Sequence, residues 1–550
     1  MSSRYHRSVN APATASPGTR AWLVAIALVA AGCTDDPVAP RPPSPPPREV
    51  DLSPVAPADP GSALPASWSE GPIAQIYVRG YKDSDGDGIG DLNGVAQQLD
   101  YLRALGVTGV WLMPIMASQD HDHGYAVTDY RAIEPDYGTL ADFDALVAQA
   151  HARGLAIILD YVMNHSAAEN WLFASARADK TSAWRDWYLW SDSHPTGWRI
   201  YNSDPWHSSP TGYYFAGFWD QMPDFNLRNP AVVAYHHDSL RFWLNRGVDG
   251  FRFDAVANLV ENGPDAWEDQ PEDRALMAAI RDLVAGYAQR WMVCEAPADP
   301  LGFTTDCGSA FAFGHNTALI GAARGDRSAI DAVAHYFDYT PDRVSTMLAN
   351  HDSFAGSRVW DQLAGNVARY RLAAATYLLQ PGVPFIYYGE EIGLAVGKGL
   401  TGDPALRAPM SWTGGANAGF STHAPFRALA TNYAHNNVAD EEADPASLLN
   451  FYKAMIALRK AHPSLARGFP QASTSTGQVL QFKRRGVSET SLVVINYGET
   501  AASASFAGLP PTTILTPAYP PDLSALATDS SGQVTIAAPA LSVTVYSAAP

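Results

Sequence analysis

From about residue 70 onward, short apolar runs alternate with helical patterns along most of the chain. In the segment 140–153, for example, the apolar residues fall on one helical face, Gly154 stops the helix, and an apolar run follows at 155–162. Runs of β-branched residues separated by helices indicate a parallel sheet covered by helices. Counting a weaker run near Ala310, eight such units predict an α/β fold, the (β/α)8 TIM barrel.

Two segments depart from this alternation. Residues 166–226 are too long and too aromatic for a simple loop, and predict a small domain inserted after the third strand. After about residue 466 the helical pattern stops, and the short runs that follow predict antiparallel strands. We therefore expect a catalytic barrel over 68–465, with the inserted domain at about 166–226, and a C-terminal β-sandwich domain over 466–550.

The first 33 residues have the form of an export signal. Arginines precede an uncharged run at 21–32 that is too short to span a bilayer, and Ala-Ala-Gly before Cys33 resembles a bacterial lipobox, whose Cys is lipidated. An ordinary secretory signal cut nearby is the alternative. The Pro-rich residues 34–67 predict an extended linker. The sequence thus predicts an exported protein, either a cell-envelope lipoprotein (at the outer membrane or cell surface) or a secreted protein.

Charge and cysteine content limit the partners. The formal net charge of −19 argues against the basic face that nucleic acids and anionic lipids require. We therefore expect no nucleic-acid partner, membrane contact only through the N-terminal lipid anchor, and a monomer. No Cys pair has the spacing of a zinc site. Cys294 and Cys307 predict either a disulfide in an oxidising compartment or plain buried thiols.

Polar residues stand at the ends of four predicted strands, where barrel enzymes gather their active sites. The third strand ends at Asp160 and is followed by Asn164 and His165, the fourth ends with Arg252 and Asp254, the fifth ends at Glu295, and the seventh ends with Asn350, His351 and Asp352. Single strand-end carboxylates are usually helix caps or turn residues. Four strands that aim such groups at one mouth favour a catalytic site instead.

The chemistry that fits this set is cleavage of a glycosidic bond. One carboxylic acid protonates the leaving oxygen, and in the retaining reaction a second carboxylate attacks the anomeric carbon. Arg252 lies two residues before Asp254, on the same side of the strand, and a neighbouring cation keeps a carboxylate ionised. Glu295 follows an apolar run, and burial raises the pKa of a carboxyl, as a general acid requires.

The same segments resemble the four signature regions of glycoside hydrolase family 13, the α-amylase family, in sequence and in order. These are residues 160–165, 250–254, Glu295 and 350–352, and further similarity lies at 124–130, 222–226 and 386–391. The resemblance covers roughly residues 68–550. It implies Asp254 as nucleophile, Glu295 as acid/base and Asp352 as a third essential carboxylate. It also implies contacts to substrate from Tyr125, Asp160, His165, Arg252 and His351.

Two departures from the family pattern affect specific roles. In α-amylases the second region commonly continues with a Lys-His pair, whose His faces the leaving-group sugar, and this pair is Ala257-Asn258 here. This substitution puts specificity for the acceptor side in doubt and leaves the chemistry intact. Unusual neighbours, Cys294 and Ala296-Pro297, flank the acid/base Glu295.

An acidic loop at 83–91 follows the first strand. Its alternating carboxylates and a glycine turn match the first half of an EF-hand loop, but Gly94 stands where an EF-hand places its bidentate Glu. Similar loops bind calcium in oligo-1,6-glucosidase-like members of the family. That resemblance implies a Ca²⁺ ion held by Asp83, Asp85, Asp87, Asp91 and the carbonyl of Ile89. A solvated loop of Asx turns is the alternative.

The sequence therefore predicts a retaining enzyme that cleaves α-1,4-glucosidic bonds of starch, glycogen or maltooligosaccharides, in the manner of an α-amylase. Three alternatives stay open: an exo-acting α-glucosidase, a transglycosylase on the same scaffold, and a non-catalytic glucan-binding lipoprotein. The carboxylates Asp254, Glu295 and Asp352 count against the last, since a pure binder has no need of all three.

Overall fold

The computed structural model of the protein describes residues 48–340 and 343–549. The predicted signal and its lipidation site, Cys33, lie outside these residues. Among the helices that the structure describes, none is long and apolar enough to cross a lipid bilayer.

Parallel strands form a nearly closed barrel, as the sequence predicted. Seven strands share one sheet, in the order fifth, fourth, third, second, first, eighth, seventh. Single-residue bridges, from Cys294 to Ala310 and from Phe311 to Ser345, take the place of a sixth strand and join the fifth to the seventh. In chain order the seven strands are Ile73–Ile76, Gly109–Leu112, Ala156–Tyr161, Gly250–Phe253, Trp291–Cys294, Ser345–Thr346 and Val383–Tyr387.

Helices cover the barrel, and local signals set their ends. Thr139 and Asp142 form a capping box at the start of the helix before the third strand, and Gly154, at φ +74°, turns the chain into that strand. Among the described residues outside the inserted segment, the α-helices are Leu92–Gln97, Leu99–Leu105, Leu140–Ala152, Pro230–Leu244, Pro271–Ala285, Pro300–Cys307, His315–Ala323, Arg327–His335, Val359–Gln362, Val367–Leu379, Gly402–Leu406, Val438–Ala443, Leu448–Ala461 and Pro463–Arg467.

Aromatic side chains fill the inside of the barrel. The buried Trp111 ring lies 5.4 Å from the ring of Phe311 and 5.8 Å from that of Phe385, measured between centroids. Ile73, Ile158 and other apolar residues complete this cluster. The barrel is therefore a packed core, and room for a ligand lies at the strand ends.

Two segments rise from the strand ends and border the mouth. An antiparallel hairpin, Met116–Ser118 with Val127–Ile133, follows the second strand. After the third strand the chain leaves the barrel and returns, and the two ends of this excursion meet where Phe225 N–H donates to the carbonyl of Asn164 at 2.9 Å. Between them lie the helix Trp171–Ala178 and a three-stranded antiparallel sheet of Trp190–Ser191, Trp206–Ser209 and Gly212–Phe215.

Residues 48–67 of the predicted linker over 34–67 run along the barrel and contact it, and residues 34–47 lie outside the described residues. Val50 and Leu64 are buried, at 5% and 4% exposure. Arg131 donates to the carbonyl of Ser53 at 2.8 Å, and the amide of Ala58 donates to Asn245 Oδ1 at 2.8 Å. This Pro-rich segment is held in place by its two buried apolar side chains and by hydrogen bonds between its backbone and side chains of the barrel.

The C-terminal domain is antiparallel, as predicted. A six-stranded sheet and a two-stranded sheet both contribute side chains to one apolar cluster, among them Leu492 and Leu515 from the larger sheet and Phe506 and Ile536 from the smaller. Its strands are Phe469–Thr476, Val479–Arg485, Thr490–Asn496, Ala502–Phe506, Ile514–Tyr519, Leu526–Ala527, Val534–Ala538 and Ser542–Ala548.

Candidate active site

One buried guanidinium holds three acidic side chains together. Arg252 is 1% exposed and leaves the fourth strand on the same side as Asp254. Its Nη1 donates to Oδ1 of Asp254 and to Oδ1 of Asp160, both at 2.7 Å, and its Nη2 lies 2.6 Å from Oε2 of Glu295. The ends of the third, fourth and fifth strands thus bring these four predicted residues into one cluster.

Burial raises the pKa of each acidic group in this cluster, and the charge of Arg252 opposes the rise. The pKa of Glu295 rises to about 7 and that of Asp160 to about 6. Burial also raises the pKa of Asp254. Because one cation faces three acidic groups, the cluster holds a proton near neutral pH, and Glu295 is placed to carry it.

A tight turn after Asp254 directs two backbone N–H groups toward Glu295. Ala255 adopts a left-handed conformation, with φ +45°, which is uncommon for a residue with a side chain. Its N–H donates to Oε2 of Glu295 at 3.2 Å, and the next amide, of Val256, donates to the carbonyl of Glu295 at 3.1 Å. Strained backbone of this kind clusters at functional sites, and here it sets the position of one carboxyl relative to the other.

Tyr125 and His351 stack beside the cluster, with ring centroids 5.5 Å apart and planes within 9°. Gln75 Nε2 donates to Nδ1 of His351 at 2.7 Å, which leaves the ring proton on Nε2, 2.7 Å from the Tyr125 hydroxyl. That hydroxyl in turn donates to Oδ2 of Asp160 at 2.9 Å. Burial holds the pKa of His351 well below its usual range, so the ring is neutral.

The remaining predicted site residues line the same mouth. Asp352 lies 3.0 Å from His351 Nε2 and 3.2 Å from Nη2 of Arg407, and its side chain is 18% exposed. His165 is buried, and its Nε2 has no hydrogen-bond partner among the residues described. Burial lowers the pKa of His165 to about 3, so it stays neutral and can bond to a sugar hydroxyl.

Three further charged residues border the site beyond Asp352, and the sequence analysis missed them. Arg427 Nη2 lies 2.8 Å from Oδ2 of Asp122, whose Oδ1 accepts from the Tyr77 hydroxyl. Burial acts to raise the pKa of Asp122, but Arg427 and then Arg407 hold it well below its usual range. Asp122 and Arg427 are 305 residues apart, so no local pattern connects them.

Cys294 and Cys307 form a disulfide, which settles the two alternatives that the sequence left open. Cys294 ends the fifth strand, directly before Glu295, and Cys307 ends the helix Pro300–Cys307. The strand end that carries Glu295 is therefore tied covalently to the helix that follows it.

The acidic loop at 83–91 supplies part of an oxygen cage. One carboxylate oxygen from each of Asp83, Asp85 and Asp91 lies within 4.8 Å of the others, and Asp83 and Asp91 are buried. Asp87 lies outside this group, and burial and then the charges of Asp85 and Asp83 raise its pKa. A cluster made only of oxygens suits calcium. We propose that Asp83, Asp85, Asp87, Asp91 and the carbonyl of Ile89 hold a Ca²⁺ ion.

We expect chelation with EDTA to lower the melting temperature, since an ion that binds only the folded state stabilises it, by about 2.7 kcal/mol at a hundredfold excess over its Kd. Calorimetry with and without added calcium measures this shift. The double variant Asp85→Ala/Asp87→Ala should lose the calcium dependence, whereas Asp522→Ala, an exposed carboxylate on the terminal domain, should keep it. A protein that melts identically with EDTA and contains no metal by elemental analysis contradicts the proposal.

Comparison with known sequences agrees with this geometry. The family model for "Alpha amylase, catalytic domain" matches residues 75–468. Alpha-amylase 3 of Dictyoglomus thermophilum is 33% identical over 444 residues, which cover 78% of this chain and 85% of that protein. Trehalose synthase/amylase TreS of Mycobacterium tuberculosis is 34% identical over 485 residues, covering 77% and 81% of the two chains.

Solved structures give the same result. The α-amylase from H. orenii is 30% identical and superposes with a TM-score of 0.75, covering 88% of this chain and 100% of that one. A trehalulose synthase, MutB, is 27% identical with a TM-score of 0.74, over 88% and 99% of the two chains. These relatives share the barrel but carry names of different activities. The chain belongs to the α-amylase family, glycoside hydrolase family 13, and is a glycosidase.

Proposed function

We propose that the protein is a retaining enzyme that hydrolyses α-1,4-glucosidic bonds and removes terminal glucose units from maltooligosaccharides. The observation that carries this proposal is the pair of ion contacts at Asp352 and next to it, Arg407 with Asp352 and Arg427 with Asp122. Of the alternatives that the sequence left open, this geometry favours exo action over the endo action of an α-amylase.

The chemistry follows from the two carboxyl groups on Arg252. Asp254 attacks the anomeric carbon, while Glu295 gives its proton to the departing oxygen. Water then attacks the glucosyl ester of Asp254, and Glu295 takes the proton of that water. Both carboxylates bond to adjacent nitrogens of one guanidinium, which supports the short separation of about 5–5.5 Å that retention needs, not the roughly 6.5–9.5 Å of inversion.

The other side chains position the sugar that becomes attached to Asp254. His165 has a free Nε2 for a hydroxyl, and Asp352 has a partly exposed carboxylate beside neutral His351. Tyr125 presents a ring that its bonds to Asp160 and His351 hold in place. An ordinary hydrogen bond from such a group contributes about 0.5–1.5 kcal/mol, and these groups act on the same sugar.

The position of Glu295 determines the direction in which the glucan substrate lies across the site. Glu295 protonates the leaving oxygen, so the leaving sugar lies on its side, and the end of the substrate that stays lies toward Asp352. There Asp122 is 28% exposed at its side chain and Arg427 only 13%, and Tyr77 binds the same carboxylate. A longer glucan would have to break these partly buried ion contacts, which leaves their charges without partners. A terminal glucose can instead hydrogen-bond to them.

Cleavage of maltoheptaose labelled at its reducing end tests the direction of attack. We expect unlabelled glucose as the first product, with labelled chains that shorten one unit at a time, as followed by chromatography. Asp122→Asn should lower kcat/KM by about 10- to 100-fold, because a charged hydrogen bond to the terminal glucose is lost. Asp144→Asn, which removes a surface pair with Arg246, is the matched control and should not.

Labelled fragments of many lengths at the earliest times would contradict exo action and favour the endo α-amylase. Glucose transferred to the substrate, in place of free glucose, would favour a transglycosylase. Both outcomes keep the chain within its family and reject only the specific activity proposed.

A further inference from the structure

The chain on both sides of Glu295 is fastened to one short helix. Directly before Glu295, Cys294 forms the disulfide with Cys307, the last residue of the helix Pro300–Cys307. Four residues after Glu295, Asp299 caps the start of the same helix, where its side chain accepts a backbone N–H at 3.0 Å. The position of this helix therefore limits where Glu295 can lie.

One guanidinium, that of Arg274, holds the start of this helix. Arg274 stands near the start of the helix that follows the fourth strand. Its Nη2 lies 2.6 Å from Oδ2 of Asp299 and 2.6 Å from Oδ1 of Asp269, and its Nη1 lies 3.3 Å from Oδ2 of Asp306. Its guanidinium carbon also lies 4.5 Å from the centre of the buried Phe303 ring. Arg274 thus joins the loop after the fourth strand to the helix after the fifth.

Asp269 continues this connection to the nucleophile. Its amide donates to the carbonyl of Ala257 at 2.7 Å, and Ala257 lies in the turn directly after Asp254. Asp269 has φ +53°, a conformation that residues with side chains seldom adopt and that persists where contacts on several sides hold it. A path of contacts therefore runs from the turn after the nucleophile, through Arg274, to the chain after Glu295.

The junction at Arg274 is closely packed. A Cβ on Gly302 would lie 2.3 Å from Nη1 of Arg274 and 2.1 Å from Oδ2 of Asp299, so a side chain at this position would push the two apart. The side chain of Arg274 is 26% exposed, and ion pairs at such places contribute little to the free energy of unfolding. The contacts of Arg274 thus set a geometry more than they stabilise the fold.

We propose that Arg274 is a positioning residue for the acid/base, and that it holds Asp299 and the helix after it so that the Glu295 carboxyl meets the departing oxygen. A general acid must lie within hydrogen-bond reach of that oxygen, at about 2.6–3.2 Å, and a misplacement of about 1 Å costs on the order of 100-fold in rate. The inference rests on the role of Glu295 in the proposed function, and it adds a residue that acts through Asp299.

Arg274→Gln tests this role with two substrates that differ in their need for an acid. We expect kcat/KM on maltoheptaose to fall about 10- to 100-fold, because the acid is displaced. The loss on α-glucosyl fluoride should be at least about threefold smaller, because fluoride departs with little protonation. In a Glu295→Gln background the same change should add no further loss on maltoheptaose, since both substitutions remove one function.

Cys307→Ala removes the disulfide, and it takes the place of Arg274→Gln if that variant does not fold. We expect the same difference between the two substrates, because the helix is then free at its other end.

Arg281→Gln is the matched control. Arg281 lies on the same helix as Arg274 and donates to the carbonyl of Thr305 at 2.7 Å, so it connects the same two helices away from Asp299. This variant should keep the ratio of the two kcat/KM values that the unaltered enzyme has.

An Arg274→Gln variant that loses nothing, or that loses equally on both substrates, would overturn the positioning role and leave the proposed hydrolysis intact. A further loss in the Glu295→Gln background, or the same selective loss in Arg281→Gln, would also overturn it. An unaltered enzyme that releases neither glucose nor fluoride would instead reject the proposed function.

Discussion

Replacing Asp254 with Ala should remove nearly all activity, by more than about 10⁴-fold in kcat, because no other carboxylate is placed to attack the anomeric carbon. Asp160 bonds to the same guanidinium, but it is fully buried at its side chain and binds the Tyr125 hydroxyl and Trp111. Proton NMR of the unaltered enzyme should show the α anomer as the first product, before mutarotation. A β anomer formed first would contradict the nucleophile role.

Glu295→Gln separates the acid from the nucleophile. We expect a loss of about 10²- to 10⁴-fold on maltooligosaccharides, and a smaller loss in the first step on α-glucosyl fluoride, whose leaving group needs little protonation. For the unaltered enzyme, kcat/KM should fall as the pH rises through the pKa of Glu295, about 7, since the free enzyme must carry that proton. Equal losses on both substrates would reject Glu295 as the acid.

Arg252→Met should destabilise the fold as well as stop the reaction. The substitution leaves three buried acidic groups without their cation, and loss of one partner from a buried ion pair costs about 3–5 kcal/mol. The carboxyl pKa values in the folded variant then rise further above those of the unfolded chain. The folded state keeps protons that the unfolded chain releases, so the destabilisation should grow as the pH rises above about 4.

Urea denaturation at two pH values measures this effect. Arg246→Met is the matched control, because Arg246 pairs with Asp144 at the surface at 2.7 Å, where such pairs contribute about 0–1 kcal/mol. An Arg252→Met variant as stable as the control at neutral pH would show that the cluster is not held by this guanidinium. A loss of activity alone cannot distinguish a destabilised fold from a stopped reaction. The urea denaturation curve measures the stability directly.

The grouping of the strand-end residues was predictable, because in a parallel barrel it depends only on where each strand ends. In a parallel barrel, residues that end strands meet at one mouth whatever the loops do, so Asp160, Asp254, Glu295 and Asp352 could be grouped from their positions alone. The terminal antiparallel domain was predictable for the same reason, from the change of hydrophobic period near residue 466. The seventh strand is shorter than its apolar run, since its neighbour offers only the bridging residues Ala310 and Phe311.

Contacts between distant loops were not predictable. Asp122 and Arg427 meet because the hairpin after the second strand and the loop after the eighth lie side by side, and neither loop carries a periodic pattern. Tyr201 and Trp267 meet in the same way. The sequence predicts a linker at 48–67 because the many prolines there exclude helices and strands. The contacts that hold this segment come from side chains of the barrel, which bond to its backbone and which no local pattern indicates.

The single guanidinium of Arg252 also sets the charge balance within which the proposed catalytic cycle moves its proton. With three acidic groups on one positive charge, the resting cluster already holds the proton that the first step consumes. In the proposed mechanism, esterification of Asp254 removes one negative charge at the moment when Glu295 loses its proton, so the total charge of the cluster stays constant. When the ester is cleaved, Asp254 regains its charge and Glu295 must be protonated again. Each half of the reaction therefore restores the charge state that the other half needs.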